Sequence, residues 1–138
     1  MKYLGKKSKI SYSLKNGRSI DVIDNPHSEN PYLVSLATDE FTALCPVTHQ
    51  PDFAEIIITY IPDALLVESK SLKLYLMSFR NTGMFHEAIV NKIADDIHTR
   101  LQSQFLLVQG RFKSRGGIMI TVKTDRGDRA LYKELHRL

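Results

Sequence analysis

The sequence predicts an α+β fold, an antiparallel sheet with helices on one face, in the order strand, strand, helix, helix, strand, strand. Three observations predict it. Strand-like runs occur in pairs instead of alternating with helices, which favours antiparallel pairing. Between the pairs, from Ser69, the apolar residues take up helical spacing. The 138 residues, 43% hydrophobic and 25% charged, suffice for one core and leave little room for a second domain. Residues 1–138 are therefore read as a single domain.

Residues 1–30 read as loosely structured, with Asn25-Pro26 and Asn30-Pro31 as breakers. Tyr32 to Phe41 is a plausible strand that stops before Cys45-Pro46. Phe53 to Ile61 is the strongest strand signal, rich in β-branched residues and closed by Pro62. Leu72, Tyr75, Leu76 and Phe79 then share one helical face, with Ser69 as a suitable N-cap. Asn81-Thr82-Gly83 breaks the chain. A second helix follows, starting at Phe85-His86-Glu87 and carrying Val90, Ile93, Ile97 and Leu101 on one face. Phe105 to Phe112 and Ile118 to Thr124 form the last strand pair across Ser114-Arg115-Gly116-Gly117. Arg129 to Leu138 is a short helix or a tail. Such a sheet has two unpaired edges, which invites assembly into an oligomer.

Composition excludes wholesale disorder and collagen-like repeats. No apolar run approaches the roughly 18 residues of a membrane span, and no apolar block follows the basic N-terminus as in a secretory signal. One cysteine, Cys45, excludes an internal disulfide and a cysteine-based zinc site. A cytoplasmic location is the expectation. The net charge of +4 hides an asymmetry: residues 19–69 carry nine acids and no Lys or Arg, whereas residues 70–138 carry thirteen bases and six acids. An acidic centre suits a hydrogen-bond-donating substrate, and the basic half suits phosphate or nucleic acid.

Several clusters could carry chemistry. Cys45 lies in a polar loop with His49 and Asp52; a nucleophilic thiol needs a neighbour that manages protons, although a lone cysteine is commonly a small buried hydrophobe. Lys70 and Lys73 stand at a helix start, where cations oppose the macrodipole unless an anion sits among them. A carboxylate such as Glu87 can accept two hydrogen bonds from a guanine-like edge, yet His86 and Glu87 also read as polar residues of a first turn. Arg115 with the bare Gly116-Gly117 turn could bind phosphate, or be an ordinary hairpin. No G-x-G-x-x-G or G-K-[ST] loop and no His-x-x-x-His pair is present, which argues against Rossmann, P-loop and metal-hydrolase sites.

Taken in order, Phe41-Thr42-Ala43-Leu44-Cys45-Pro46, Gln50-Pro51-Asp52-Phe53, the run from Glu68 to Tyr75, Ser78-Phe79-Arg80-Asn81, Phe85-His86-Glu87 and Arg115-Gly116-Gly117 resemble the QueF family of NADPH-dependent 7-cyano-7-deazaguanine reductases. The resemblance covers about residues 39–124, and the Glu-Ser-Lys-Ser-Leu-Lys-Leu-Tyr run is its most specific part. It implies a tunnelling fold, sheets joined into a multi-subunit barrel, sites at subunit interfaces and, for short chains, a decamer of two pentamers. It also implies roles. Cys45 would attack the nitrile and form a thioimide, with Asp52 as proton donor. Val67, Glu68, Ser69, His86 and Glu87 would bind the substrate, and Ser69, Lys70, Arg115 and Gly116 would bind NADPH. The substrate is a free base, so no contact with nucleic acid is required. The rival readings are a pterin or GTP hydrolase or lyase of the same fold, and a basic RNA-binding module.

Overall fold

The computed structural model describes residues 13–138. A 3₁₀ turn at Gly17–Ser19 leads into β1 (Val22–Asp24), followed by β2 (Val34–Leu44), β3 (Pro51–Ile61) and β4 (Leu65–Val67). The helices α1 (Ser69–Met77) and α2 (His86–Leu101) come next, then β5 (Phe105–Arg115), β6 (Ile118–Gly127) and α3 (Arg129–His136). The main sheet has four strands in the order β2-β3-β5-β6, all antiparallel, so the expected pairs and their grouping are present. The C-terminal stretch is a helix, anchored where Tyr132 stacks on Phe105 with ring centroids 4.5 Å apart.

Two expectations need correction. Residues 13–30 are not loose throughout: β1 pairs with β4 in a second, two-stranded sheet, and Asn25 holds the following turn by donating to the Asp63 carbonyl and accepting from the Tyr32 hydroxyl. The part of that expectation that falls on residues 1–12 lies outside the described residues. The N-cap of α1 is Glu68, not Ser69. Its carboxylate accepts from the N–H groups of Lys70 and Ser71 at 2.8 and 2.7 Å, which also places a negative charge where Lys70 and Lys73 seemed to need one.

β2, β3 and β5 bury alternate residues against the helices, and bulges in β2 and β5 shift which ones face inward. In β3 the inward set is Asp52, Ala54, Ile56, Ile58 and Tyr60. Its neighbour β2 follows with Leu36 opposite Ile58 and Thr38 opposite Ile56, then carries one extra residue, so Phe41 and Ala43 face inward opposite Ala54 and Asp52. The core joins this face to Leu72, Tyr75, Leu76 and Phe79 from the α1 region and to Ile89, Val90, Ile93 and Ile97 of α2. Between the helices, the buried Tyr75 hydroxyl donates to Asp96, which also pairs with Lys92 at 2.7 Å. Among the described residues no helix is long and apolar enough to cross a membrane.

Candidate active site

The hairpin between β2 and β3 turns through residues 45–50. Cys45 donates its N–H to the Gln50 carbonyl at 2.8 Å, and its own carbonyl accepts from His49 at 3.0 Å. His49 takes the left-handed conformation, φ 59°, that lets so short a loop close. The loop also acts on the thiol. The Thr48 hydroxyl, then the backbone N–H groups of Thr48 and Val47, hydrogen-bond to Cys45 and hold it below the ordinary thiol pKa.

The connection between α1 and α2 is tied to the end of β2: Leu44 donates to the Thr82 carbonyl at 3.0 Å, and Met84 donates to the Leu44 carbonyl at 3.1 Å. Gly83 permits this approach, since a Cβ there would lie 3.2 Å from the Pro46 Cα. The first turn of α2 is thereby delivered to the Cys45 loop. His86 lies flat on Phe112, with centroids 3.9 Å apart and planes within 9°, and its Nε2 is 3.1 Å from Asp52 Oδ2.

Asp52 is 6% exposed, and a carboxylate so buried needs partners. Its other oxygen, Oδ1, is 2.7 Å from Arg115 Nε. Arg115 reaches it because β5 carries an extra residue between Phe112 and Arg115 relative to β6. Strict alternation would place Arg115 with Arg111 and Lys113 on the opposite face. The remaining guanidinium nitrogens donate to Gln50 Oε1 at 2.9 Å and to the Pro51 carbonyl at 2.7 Å.

Cys45, Asp52, His86, Glu87 and Arg115 thus line one cavity of about 160 Å³, closed by Pro46, Met84, Phe85 and Ile120. Exposed apolar side chains, Val47, Phe85, Ile118 and Met119, belong to the same segments. The arrangement offers an activated sulfur nucleophile, a carboxylate–imidazole pair able to hold or pass a proton, and a second carboxylate able to orient a hydrogen-bond donor.

The other residues singled out in the sequence lie elsewhere. Val67 and Glu68 line neither this cavity nor a second, larger one of about 650 Å³ between α1 and the β2–β3 face. Ser69 lines the larger cavity with Lys73, Arg80, Leu36, Phe41 and Ile58. Lys70 is half-buried in the first turn of α1. Gly116 sits at the hairpin tip, where it and Gly117 have φ of 57° and 80° and open space around them. Sequence reasoning passed over Thr48 and Phe112 and gave Gln50, though part of a quoted motif, no role. Only the three-residue proximity of Thr48 to Cys45 could have pointed to the first. Among the described residues no three His, Cys, Asp or Glu side chains are grouped to hold a metal ion.

A family model described as QueF-like protein matches residues 51–130, more than half of the chain. The chain belongs to the QueF-like protein family. Similar proteins from several bacteria carry the name NADPH-dependent 7-cyano-7-deazaguanine reductase. The one from Syntrophus aciditrophicus is 48% identical over 111 residues, covering 80% of this chain and 79% of its own. Those from Exiguobacterium sibiricum and Bacteroides thetaiotaomicron are 54% and 55% identical over 101 residues, 73% of this chain but 62% and 67% of theirs. The chain spans about three-fifths of the length of the Exiguobacterium relative. In architecture it is similar to the crystal structure of the archaeosine synthase QueF-Like in the apo form, with a TM-score of 0.67 and 21% identity, covering 72% of this chain and 97% of that one; this likeness concerns the fold.

Proposed function

We propose that this QueF-like chain reduces the nitrile of 7-cyano-7-deazaguanine to the aminomethyl group, with NADPH as reductant. The observation that carries the reading is the convergence of an activated thiol, a buried carboxylate and an imidazole on one cavity with Glu87 at its edge. Attack by the Cys45 sulfur makes one C–S bond and opens one π bond of the nitrile. The electron pair moves to the nitrogen, which takes a proton, and the product is a covalent thioimide. Asp52 and His86 hold and deliver that proton. The thiol leaves again before the amine is complete, a departure helped by the loop that favours its ionised form. Glu87 accepts from the ring N–H and exocyclic amine of the deazaguanine edge, and His86 contacts the ring.

NADPH, when bound, supplies the hydrides of the four-electron reduction. The chain has groups that fit it. The larger cavity is floored by Leu36, Phe41, Ile56, Ile58 and Leu72, which suit a flat ring, while Ser69, Lys73 and Arg80 supply polar and cationic contacts for phosphates. Lys70, Arg115 and the bare Gly116 turn are further contacts in this reading. The N–H groups of Lys70 and Ser71 are already held by Glu68, so the cationic side chains carry the phosphate recognition.

The tunnelling-fold assembly belongs to the same proposal. The single chain leaves β2 and β6 as sheet edges, surrounds the Cys45 cavity with exposed apolar residues and keeps Val67, Glu68 and Ser69 away from it. A site shared between subunits would bring the β4–α1 junction of one chain to the Cys45 cavity of the next, in a cytoplasmic decamer of two pentamers. The test is turnover: purified protein should oxidise NADPH only when 7-cyano-7-deazaguanine is present, and mass spectrometry should find the aminomethyl product. Turnover of GTP or a pterin with no NADPH oxidation would replace the reading with the hydrolase alternative.

A further inference from the structure

We propose that Asn91, held by Thr124 and Arg126 of β6, is a positioning residue that fixes the first turn of α2 and with it the Glu87 carboxylate at the edge of the Cys45 cavity. The proposal rests on the reductase reading above, in which Glu87 anchors the deazaguanine. The first turn of α2 carries His86 and Glu87, yet its N-cap, Phe85, makes no side-chain hydrogen bond to the helix. A helix start without a capping side chain leaves N–H groups open and frays readily. Here the turn is held from the opposite direction. Helical side chains lean toward the N-terminus, and residues four apart share a face. The Asn91 amide accordingly reaches back and donates to the Glu87 carbonyl at 2.9 Å.

The strand beneath decides which way that amide points. Ile120, Val122, Thr124 and Arg126 are alternate, half-buried residues of β6, whereas Thr121 and Lys123 between them are exposed. Ile120 lines the Cys45 cavity, Val122 packs on the core, and Thr124 and Arg126 meet α2. The Asn91 oxygen accepts from the Thr124 hydroxyl at 2.9 Å and from Arg126 Nη2 at 3.2 Å. A guanidinium can only donate, so the amide oxygen faces β6 and the NH₂ group faces Glu87. Arg126 is fixed in turn. Its Nε and Nη2 lie 3.0 and 2.9 Å from Asp95 Oδ1, and Nη1 donates to Thr124 Oγ1 and to the Asp125 carbonyl, each at 2.7 Å. Thr124 accepts from Arg126 and thereby turns its own proton toward Asn91. The hydrogen bonds run in one direction, from Arg126 through Thr124 and Asn91 to the Glu87 carbonyl. Asn91, Thr124 and Arg126 do not line the cavity, so they act on it through the turn.

The test uses 7-cyano-7-deazaguanine without NADPH and two readouts. One is its dissociation constant, measured by calorimetry in a Cys45→Ala background. The other is the rate of adduct formation on Cys45 at saturating ligand, followed by intact-protein mass. Asn91→Asp is the selective variant: a carboxylate still accepts from Thr124 and Arg126 but has no proton for the Glu87 carbonyl. It should weaken the dissociation constant by about three- to tenfold, the effect of one hydrogen bond, and leave the saturating rate within about twofold. In a Glu87→Ala background the same substitution should change the dissociation constant by less than about twofold, because it acts through Glu87. An affinity unmoved by Asn91→Asp, or an equal loss with and without Glu87, would overturn the proposal. A fall in the saturating rate at unchanged affinity would overturn it too, as would an affinity unmoved by Glu87→Ala alone. Should Asn91→Asp fail to fold, as judged by circular dichroism, Thr124→Val carries the test with the same readouts, since it removes one of the two donors that orient the amide. Absence of adduct in the unmodified protein would instead sink the reductase reading itself.

Discussion

Two buried carboxylates invite comparison, Asp52 at the start of β3 and Glu68 at the start of α1. They are 6% and 5% exposed, so burial does not distinguish them. Their partners do. Glu68 is satisfied by backbone N–H groups two and three residues ahead, and its surroundings are equally closed: its own N–H donates to the Asp21 carbonyl, and the Ser71 hydroxyl donates to the Glu68 carbonyl. Asp52 is satisfied by side chains from α2 and β5, brought together only by the fold, and it faces a cavity that also holds a thiol. A carboxylate whose partners are local holds a helix, whereas one whose partners converge from afar on open space is placed to do chemistry.

Substitution of each carboxylate can break this comparison. Asp52→Asn should lower the rate of adduct formation by about 10²-fold or more while the protein melts near its usual temperature. Glu68→Gln should cost about 1–2 kcal/mol and several degrees in Tm through loss of the cap, any effect on the reaction coming through the β4–α1 junction brought to the next subunit's cavity. A larger Tm loss for Asp52→Asn than for Glu68→Gln would show that both are structural. Phe112→Leu keeps a buried apolar side chain but removes the plate under His86, and it should slow the reaction by about tenfold with little change in Tm.

The smallest effect concerns Thr48. The fold favours ionised Cys45, so thiolate should appear at lower pH than in free cysteine, and iodoacetamide should report this as an early rise in alkylation rate. The linked stabilisation is present above the unfolded thiol pKa and is lost as pH falls through the lower folded value. Thr48→Val removes the leading hydrogen bond and should move the alkylation midpoint upward. An unmoved midpoint would assign the activation to the backbone alone.

The main sheet and both long helices were legible because their signals are strong: Phe53 to Ile61 is a run rich in β-branched residues closed by Pro62, and Val90, Ile93, Ile97 and Leu101 keep helical spacing. The bulges were not, since an extra strand residue looks like any other until its partner strand is known. That is why β2 and β5 run past their expected ends and why the sequence did not show Arg115 as a neighbour of Asp52. The cap was misplaced for a different reason: serine is the usual N-cap, and the longer Glu68 side chain beside it spans two N–H groups at once. Cys45, Asp52, His86 and Glu87 could be named from their motifs, but their meeting depends on the tie between Leu44 and the α1–α2 connection, which no single segment announces.

The most direct test of the central claim, that Cys45 is the nucleophile of a nitrile reductase, is intact-protein mass after mixing with 7-cyano-7-deazaguanine in the absence of NADPH. Addition of a thiol to a nitrile expels nothing. The account therefore predicts a gain equal to the whole ligand, absent in Cys45→Ala and discharged when NADPH is added. An unmodified mass in folded protein with Cys45 reduced would contradict it.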